Sequence, residues 1–187
     1  MPRRLLLVRH GRSSHVHDGS WLDAERARRF EDAYDAAGIR DDDAPPANLV
    51  SVAAKAGGLV CSDLPRAIAS VQRLAPGRNA AVSALLRELR FDLPAWAPRL
   101  PLSAWDFMHY AWWTGRMASG REYPETRRAR DAVDWLTSHA AAFETTVVVT
   151  HGGFRRLLAR RLARVGWRPD GARRRFHNWS VWTLTNV

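Results

Sequence analysis

The runs Leu5-Leu6-Leu7-Val8-Arg9-His10-Gly11 and Thr145-Thr146-Val147-Val148-Val149-Thr150-His151-Gly152-Gly153 decide how this chain is read. Both are unbroken apolar stretches without polar alternation, as expected of strands covered on both faces of a sheet. Both end in a histidine followed by glycine. Glycine at such a point permits a tight turn and a close backbone approach to a ligand. A helix starting behind the turn would aim its unpaired N–H groups at an anion.

Working outward from these runs, helical and extended segments alternate. Trp21 to Ala37 reads as a helix, with Leu22, Ala27, Phe30 and Tyr34 near one face and Gly38 ending it. Asn48 to Ala56 is a second helix, closed by Gly57-Gly58, and Leu59-Val60-Cys61 a brief strand. Ser62 or Asp63 would cap the next helix, with Pro65 in its first turn. Ala81 to Leu86 is a third strand, with helix as the alternative. Ser103 to Gly115 is an aromatic-rich helix, and Pro124 opens a long one on which Ala129, Ala132, Val133, Leu136, Ala140 and Phe143 share a face. After His151 an arginine-rich helix reaches about Val165, and Ser180 to Thr185 is a closing strand. This alternation implies an α/β fold, a mostly parallel central sheet with helices on both faces. Ligands bind such sheets at the carboxyl ends of the strands. We expect one domain over residues 1–187, with a small cap-like insertion around 91–123 that holds Pro94, Pro98 and Pro101.

Composition bounds the function. The chain has 187 residues, of which 46% are hydrophobic and 26% charged, as in ordinary globular domains. Its apolar runs are too short for a membrane span or a secretory leader, and one cysteine, Cys61, leaves no partner for an intrachain disulfide. A cytoplasmic location is therefore expected. The net charge of +10 favours anionic ligands. Because Lys55 is the sole lysine and alanine is abundant, coding bias alone could have scattered the arginines, although Arg155-Arg156, Arg160-Arg161 and Arg173-Arg175 crowd the C-terminal part. No nucleic-acid motif accompanies this charge, so nucleic acid is not the expected partner.

A third strand end yields Cys61-Ser62-Asp63-Leu64-Pro65-Arg66-Ala67 and sends Arg66 into the first turns of a helix. Two histidines (His10, His151) and two arginines (Arg9, Arg66) on one rim describe a site for a phosphate-sized anion, since guanidinium matches phosphate bidentately. The ordered set Arg9-His10-Gly11, Ser62-Asp63-Leu64-Pro65-Arg66-Ala67, Leu86-Arg87-Glu88, Thr150-His151-Gly152-Gly153 and Asn178-Trp179-Ser180-Val181 resembles the histidine phosphatase superfamily. That family includes phosphoglycerate mutases, phosphohistidine phosphatases and broad-specificity phosphatases.

The resemblance implies a phosphoglycerate mutase-like three-layer sandwich and a phosphomonoester hydrolase that needs neither metal nor cofactor. It implies that His10 attacks phosphorus to form phosphohistidine, while Arg9, Arg66 and His151 hold the phosphoryl oxygens. Glu88 would be the general acid, with Asp92 the nearest substitute, and Gly11, Ser13 and Gly152 would line the substrate. Many members carry asparagine six residues after the nucleophile; Val16 stands there, leaving His15 or His17 as replacements. A metal site on His15-Val16-His17-Asp18 falls short in ligand count and spacing. Ser62 lacks the elbow of a serine nucleophile, and Asp63 reads as a helix cap. The expected partner is a small phosphorylated substrate; oligomeric state and substrate identity are not legible. Alternatives are a phosphohistidine-protein phosphatase, a mutase-type phosphotransferase, and a non-catalytic phospho-ligand or polyanion binding module. The aromatic group Trp96, Trp105, Phe107, Tyr110, Trp112 and Trp113 is expected to be core, with a pocket lining as the other possibility.

Overall fold

An unbroken apolar strand must be covered on both faces, and β1 (Arg3–Arg9) is: Leu5, Leu7 and Val8 are fully buried at the centre of the sheet. The computed structural model describes residues 2–90, 98–171 and 176–186. After β1 come helices α1 (Ala24–Ala36) and α2 (Ala47–Lys55), strand β2 (Gly58–Ser62), helix α3 (Pro65–Leu74) and strand β3 (Ala81–Ser83). Helices α4 (Leu102–Ala118) and α5 (Pro124–Ala140), strand β4 (Thr145–Thr150), helix α6 (Gly152–Arg164) and strands β5 (Arg168–Asp170) and β6 (Val181–Asn186) complete the chain.

The sheet order is β3-β2-β4-β1-β6-β5. Strands β3, β2, β4 and β1 run parallel, while β6 is antiparallel to both β1 and β5. Alternate residues of the central strands feed opposite layers, as the two-residue period of a strand requires. Leu5, Leu7 and Val148 pack with Val133, Leu136, Leu158 and Leu162 of α5 and α6. Leu6, Val8, Val147 and Val149 pack with Leu49, Ala53, Val71 and Leu74 of α2 and α3. The chain is an α/β three-layer sandwich. A smaller cluster of Leu22, Ala24, Ala27 and Trp105 joins α1 to α4. None of the described helices is long and apolar enough to cross a membrane.

Several local expectations need correction. The first helix starts at Ala24, not Trp21, because Asp23 caps it through Arg26 N while Leu22 is held in an antiparallel bridge with Leu100. Neither Ser62 nor Asp63 caps α3. Leu64 occupies the cap position, Ser62 Oγ accepts from Leu64 N, and the Asp63 carboxylate is paired with Arg87. The expected strand at Ala81–Leu86 divides into β3 and a 3-10 turn (Ala84–Leu86) that Ser83 opens by accepting from Leu85 N. The edge strand β5 was not anticipated, since three exposed residues leave no apolar pattern. Within the proposed insertion, residues 91–97, which include Asp92 and Trp96, lie outside the described residues. Of the remainder, Leu102–Ala118 forms α4, where Trp105 and Trp113 are buried as expected of core but Phe107 and Tyr110 are exposed.

The turn after β1 is held tightly. Trp179, at a φ of 62°, lays its indole against Gly11 and donates Nε1 to Asp43. A Cβ on Gly11 would lie 2.5 Å from the Trp179 ring and 2.7 Å from the Asp43 carboxylate, so only glycine fits. Gly11→Ala should therefore destabilise the fold by about 1–3 kcal/mol, the usual cost of overpacking. Urea unfolding with a lower midpoint and unchanged slope checks this, and an unchanged midpoint counts against it.

Candidate active site

Register brings the two histidines together. Arg9 pairs with Thr150 across the parallel β1–β4 ladder, so the next residue of each strand is a histidine and the two are neighbours. His10 N donates to Thr150 O at 3.0 Å, and the two imidazole centroids are 5.0 Å apart. Both rings are buried, 2% and 0% exposed. His10 Nδ1 lies 2.6 Å from Gly11 O. A carbonyl can only accept, so Nδ1 carries the proton and Nε2 keeps its lone pair. Asn178 Nδ2 donates to the His10 and Gly11 carbonyls and so fixes the loop that supplies this acceptor.

Arg66 enters from the first turn of α3 and is 1% exposed. Its Nη2 meets Asp35 Oδ1 and its Nη1 meets the Tyr34 carbonyl, both at 2.8 Å, while its guanidinium lies over the Tyr34 ring. Arg9 donates Nη1 to the Phe176 carbonyl. Three residues at this spot carry buried nitrogens without hydrogen-bond partners: Arg9 Nε, Arg66 Nε, and both ring nitrogens of His151. Buried polar atoms are normally satisfied, and each exception requires a reason.

Glu88 reaches the same place by a route that the sequence did not suggest. Thr150 Oγ1 donates to Leu86 O and ties the 3-10 turn to the end of β4. The Glu88 carboxylate then docks on the start of α6: Oε2 accepts from Gly153 N, and Oε1 from Phe154 N and Leu89 N. A carboxylate on a helix N-terminus meets the positive end of its dipole. Arg87 and Arg90, its sequence neighbours, pair instead with Asp63 and Asp32.

Of the expected substrate contacts, the Gly11 amide is committed to Ser70 Oγ at 2.9 Å. Ser13 Oγ accepts from His15 N, and its backbone bridges to Ile39. Gly152 begins α6 against the Arg9 side chain, where an added Cβ would stand 3.4 Å from the guanidinium. Val16 is exposed. His15 and His17 both pack on Phe30, with ring centroids at 5.0 and 5.3 Å. Among the described residues, no three His, Cys, Asp or Glu side chains group as a metal site.

Two cavities of about 500 and 300 Å³ share Arg9, Glu88, Leu89, Asp106 and His109. The larger is walled by Tyr110, Trp113, Met117 and Phe176, with Arg156 between Tyr110 and Phe176. Asp106 and His109 were missed: they share a face of α4 by their i, i+3 spacing, but no motif in the sequence marks that face as the one turned to the cavity. Arg155, fully buried under the first turn of α6, was missed as well; it donates to the Leu7 and Ser180 carbonyls and to Ser180 Oγ.

Burial and positive charge act together on the histidines. Burial chiefly, then Arg66, Arg9 and Arg155, push His10 down from 6.5 to about 3, against the opposing hydrogen bond to Gly11. His151 is likewise held well below its usual value by burial, then by His10 and Arg66. Both are neutral in the folded protein near neutral pH, whereas the unfolded chain protonates them below 6.5. The contribution of His10 is thus fully present above that pH and is lost as pH falls towards about 3, and that of His151 is lost in the same direction. Each histidine adds a slope of at most about 1.4 kcal/mol per pH unit. His10→Asn should flatten the fall in unfolding free energy between about pH 6 and 4. Parallel curves for variant and wild type would contradict the neutral assignment.

The family model described as Histidine phosphatase superfamily (branch 1) matches residues 5–185. A phosphoserine phosphatase from Entamoeba histolytica, solved with 3-phosphoglyceric acid, is similar in structure with a TM-score of 0.60 at 14% identity, over 97% of this chain and 89% of that one. A protein described as mycobacterial hydrolase 2 gives 0.60 at 18% identity, over 98% and 82%. A mycobacterial glucosyl-3-phosphoglycerate phosphatase gives 0.54 at 18%, over 88% and 81%. No curated protein sequence matches. At these identities the structural likeness concerns the fold.

Proposed function

Because the chain belongs to the histidine phosphatase superfamily (branch 1), we propose that it is a phosphomonoester hydrolase working through phosphohistidine on His10, without a metal. The observation that carries this reading is the set of buried, unpartnered nitrogens of Arg9, Arg66 and His151 around a neutral imidazole whose Nε2 holds a lone pair. A phosphoryl group offers three oxygens to such donors, and charge-assisted bonds to it would offset the cost of burying the arginines.

In the first step the Nε2 pair forms a bond to phosphorus as the ester P–O bond breaks, and the leaving oxygen takes a proton from Glu88. In the second, water attacks phosphorus, Glu88 takes a proton from that water, and the P–N bond breaks to return neutral His10. Glu88 Oε2 accepts one backbone amide whereas Oε1 accepts two, which leaves Oε2 the freer oxygen for this proton transfer. The positive charge that a metal would supply comes from Arg9 and Arg66.

The cavity beside Glu88 takes the leaving group. Its walls of Tyr110, Trp113, Met117 and Phe176 suit an apolar or aromatic body. Walls from α4 and a volume of about 500 Å³ favour a small phosphomonoester over a phosphohistidine protein. Similar folds that act on phosphoserine and on glucosyl-3-phosphoglycerate support the reaction class only.

Para-nitrophenyl phosphate should turn over in the presence of EDTA, and absence of turnover between about pH 5 and 8 would overturn the enzyme reading. Glu88→Gln should slow alkyl phosphates by about 100-fold or more but the activated aryl ester by less than about 10-fold, since only a poor leaving group needs the proton. An equal loss on both would reject Glu88 as the acid.

A further inference from the structure

Arginines gather where the last turns of α4 and α6 meet the start of α5. A cleft of about 580 Å³ there is lined by Arg116, Arg121, Arg160, Arg161 and Arg164, with Glu122 as its only carboxylate among the lining residues. Glu122 is already engaged by Arg130 at 2.9 Å and Arg127 at 3.8 Å. None of the five cleft arginines has an ion-pair partner among the described residues. Other arginines of the chain do meet carboxylates: Arg12, Arg40, Arg66, Arg73, Arg87 and Arg90 each meet an aspartate, and Arg127 and Arg130 meet Glu122. Coding bias can scatter arginines, but it does not decide which of them lack carboxylates.

Two structural explanations compensate only part of this charge. The carboxyl ends of α4 and α6 each supply about half a negative charge and the amino end of α5 about half a positive one, so the three helices together offset only about half of one cation. Arg116 also stacks on Trp112 and Tyr123, at 3.4 and 4.3 Å from the ring centroids. Glu122 opposes part of what remains, acting on Arg161 against burial and its cationic neighbours, and the lining keeps an excess of arginines. Arg161 is pushed below the usual arginine value by burial and by Arg164 and Arg130. Like charges held this close in a concave site raise the free energy of the empty cleft and lower that of a bound anion.

We propose that this cleft is a second anion site, separate from the one at His10, and that it takes a compact ligand bearing several phosphate groups. Guanidinium forks fit phosphate oxygens bidentately. The cleft is short and concave rather than a stripe, and Arg116 occupies the Trp112 and Tyr123 faces on which a base could stack, so an oligonucleotide is the poorer fit. Arg160 Nη1 lies 3.3 Å from Met117 Sδ, and Met117 also lines the larger cavity near Glu88. The two sites thus share a wall.

Tripolyphosphate is the probe, and the readout is binding rather than turnover, so the outcome does not depend on the phosphatase reading. The triple variant Arg121→Gln, Arg160→Gln, Arg164→Gln should weaken binding by about 30-fold or more, since each charge-assisted contact is worth roughly tenfold. The control Arg3→Gln, Arg4→Gln, Arg168→Gln removes the same charge from exposed positions and should change affinity by less than about threefold. In the wild-type protein, amide shifts on titration should map to residues 120–122 and 160–164. Equal losses in both triple variants, or shifts confined to the neighbourhood of Arg9 and Gly152, would overturn the proposal. So would a single-stranded oligonucleotide that binds more tightly than tripolyphosphate and loses affinity in the cleft variant.

Discussion

The parallel pairing of β1 with β4 is the constraint on which the rest depends. With Arg9 opposite Thr150, the chain leaves both strands at the same level, and His10 and His151 become neighbours in a buried place. A slip of one residue would turn Leu5 and Leu7 to the other face of the sheet and separate the imidazoles. The apolar layers on both faces therefore hold the register, and the register holds the site. Glu88 is tied to the same strand end through Thr150 and to α6 through two backbone amides.

This arrangement concentrates positive charge where water is scarce. Arg66 and His151 are almost fully buried, and Arg9 has a buried nitrogen without a partner. Isolated charges in such surroundings are costly. Here the cost falls partly on the histidines, which stay neutral, and partly on Asp35, which holds Arg66 from α1. A neutral imidazole is the form able to attack phosphorus, so on the proposed mechanism the burial that weakens His10 as a base would also keep it ready as the nucleophile.

Much of this was legible in the residues. The unbroken runs of β1 and β4, the glycines behind each histidine and the order of the motifs pointed to the sheet and to its carboxyl edge. Local capping was less legible, because Asp23 and Asp63 look alike in sequence while one caps α1 and the other pairs with an arginine 24 residues away. The short strand β5 has no apolar pattern to read. The docking of Glu88 on α6, the role of Asn178 in holding the His10 loop, and the placement of Asp106 and His109 all rest on contacts between distant segments. Spacing along the chain carries no record of these. The aromatic group divided for the same reason: Trp105 and Trp113 are buried and also line the cavities, while Tyr110 is exposed at the cavity wall.

The central claim is that the histidine at the end of β1 becomes covalently phosphorylated. Rapid quenching during turnover of a phosphomonoester, under alkaline conditions that preserve phosphohistidine, followed by peptide mass spectrometry, tests it most directly. The account predicts one acid-labile phosphoryl group on His10, absent in His10→Asn. A phosphoryl group on any other residue, or full turnover by His10→Asn, would contradict it.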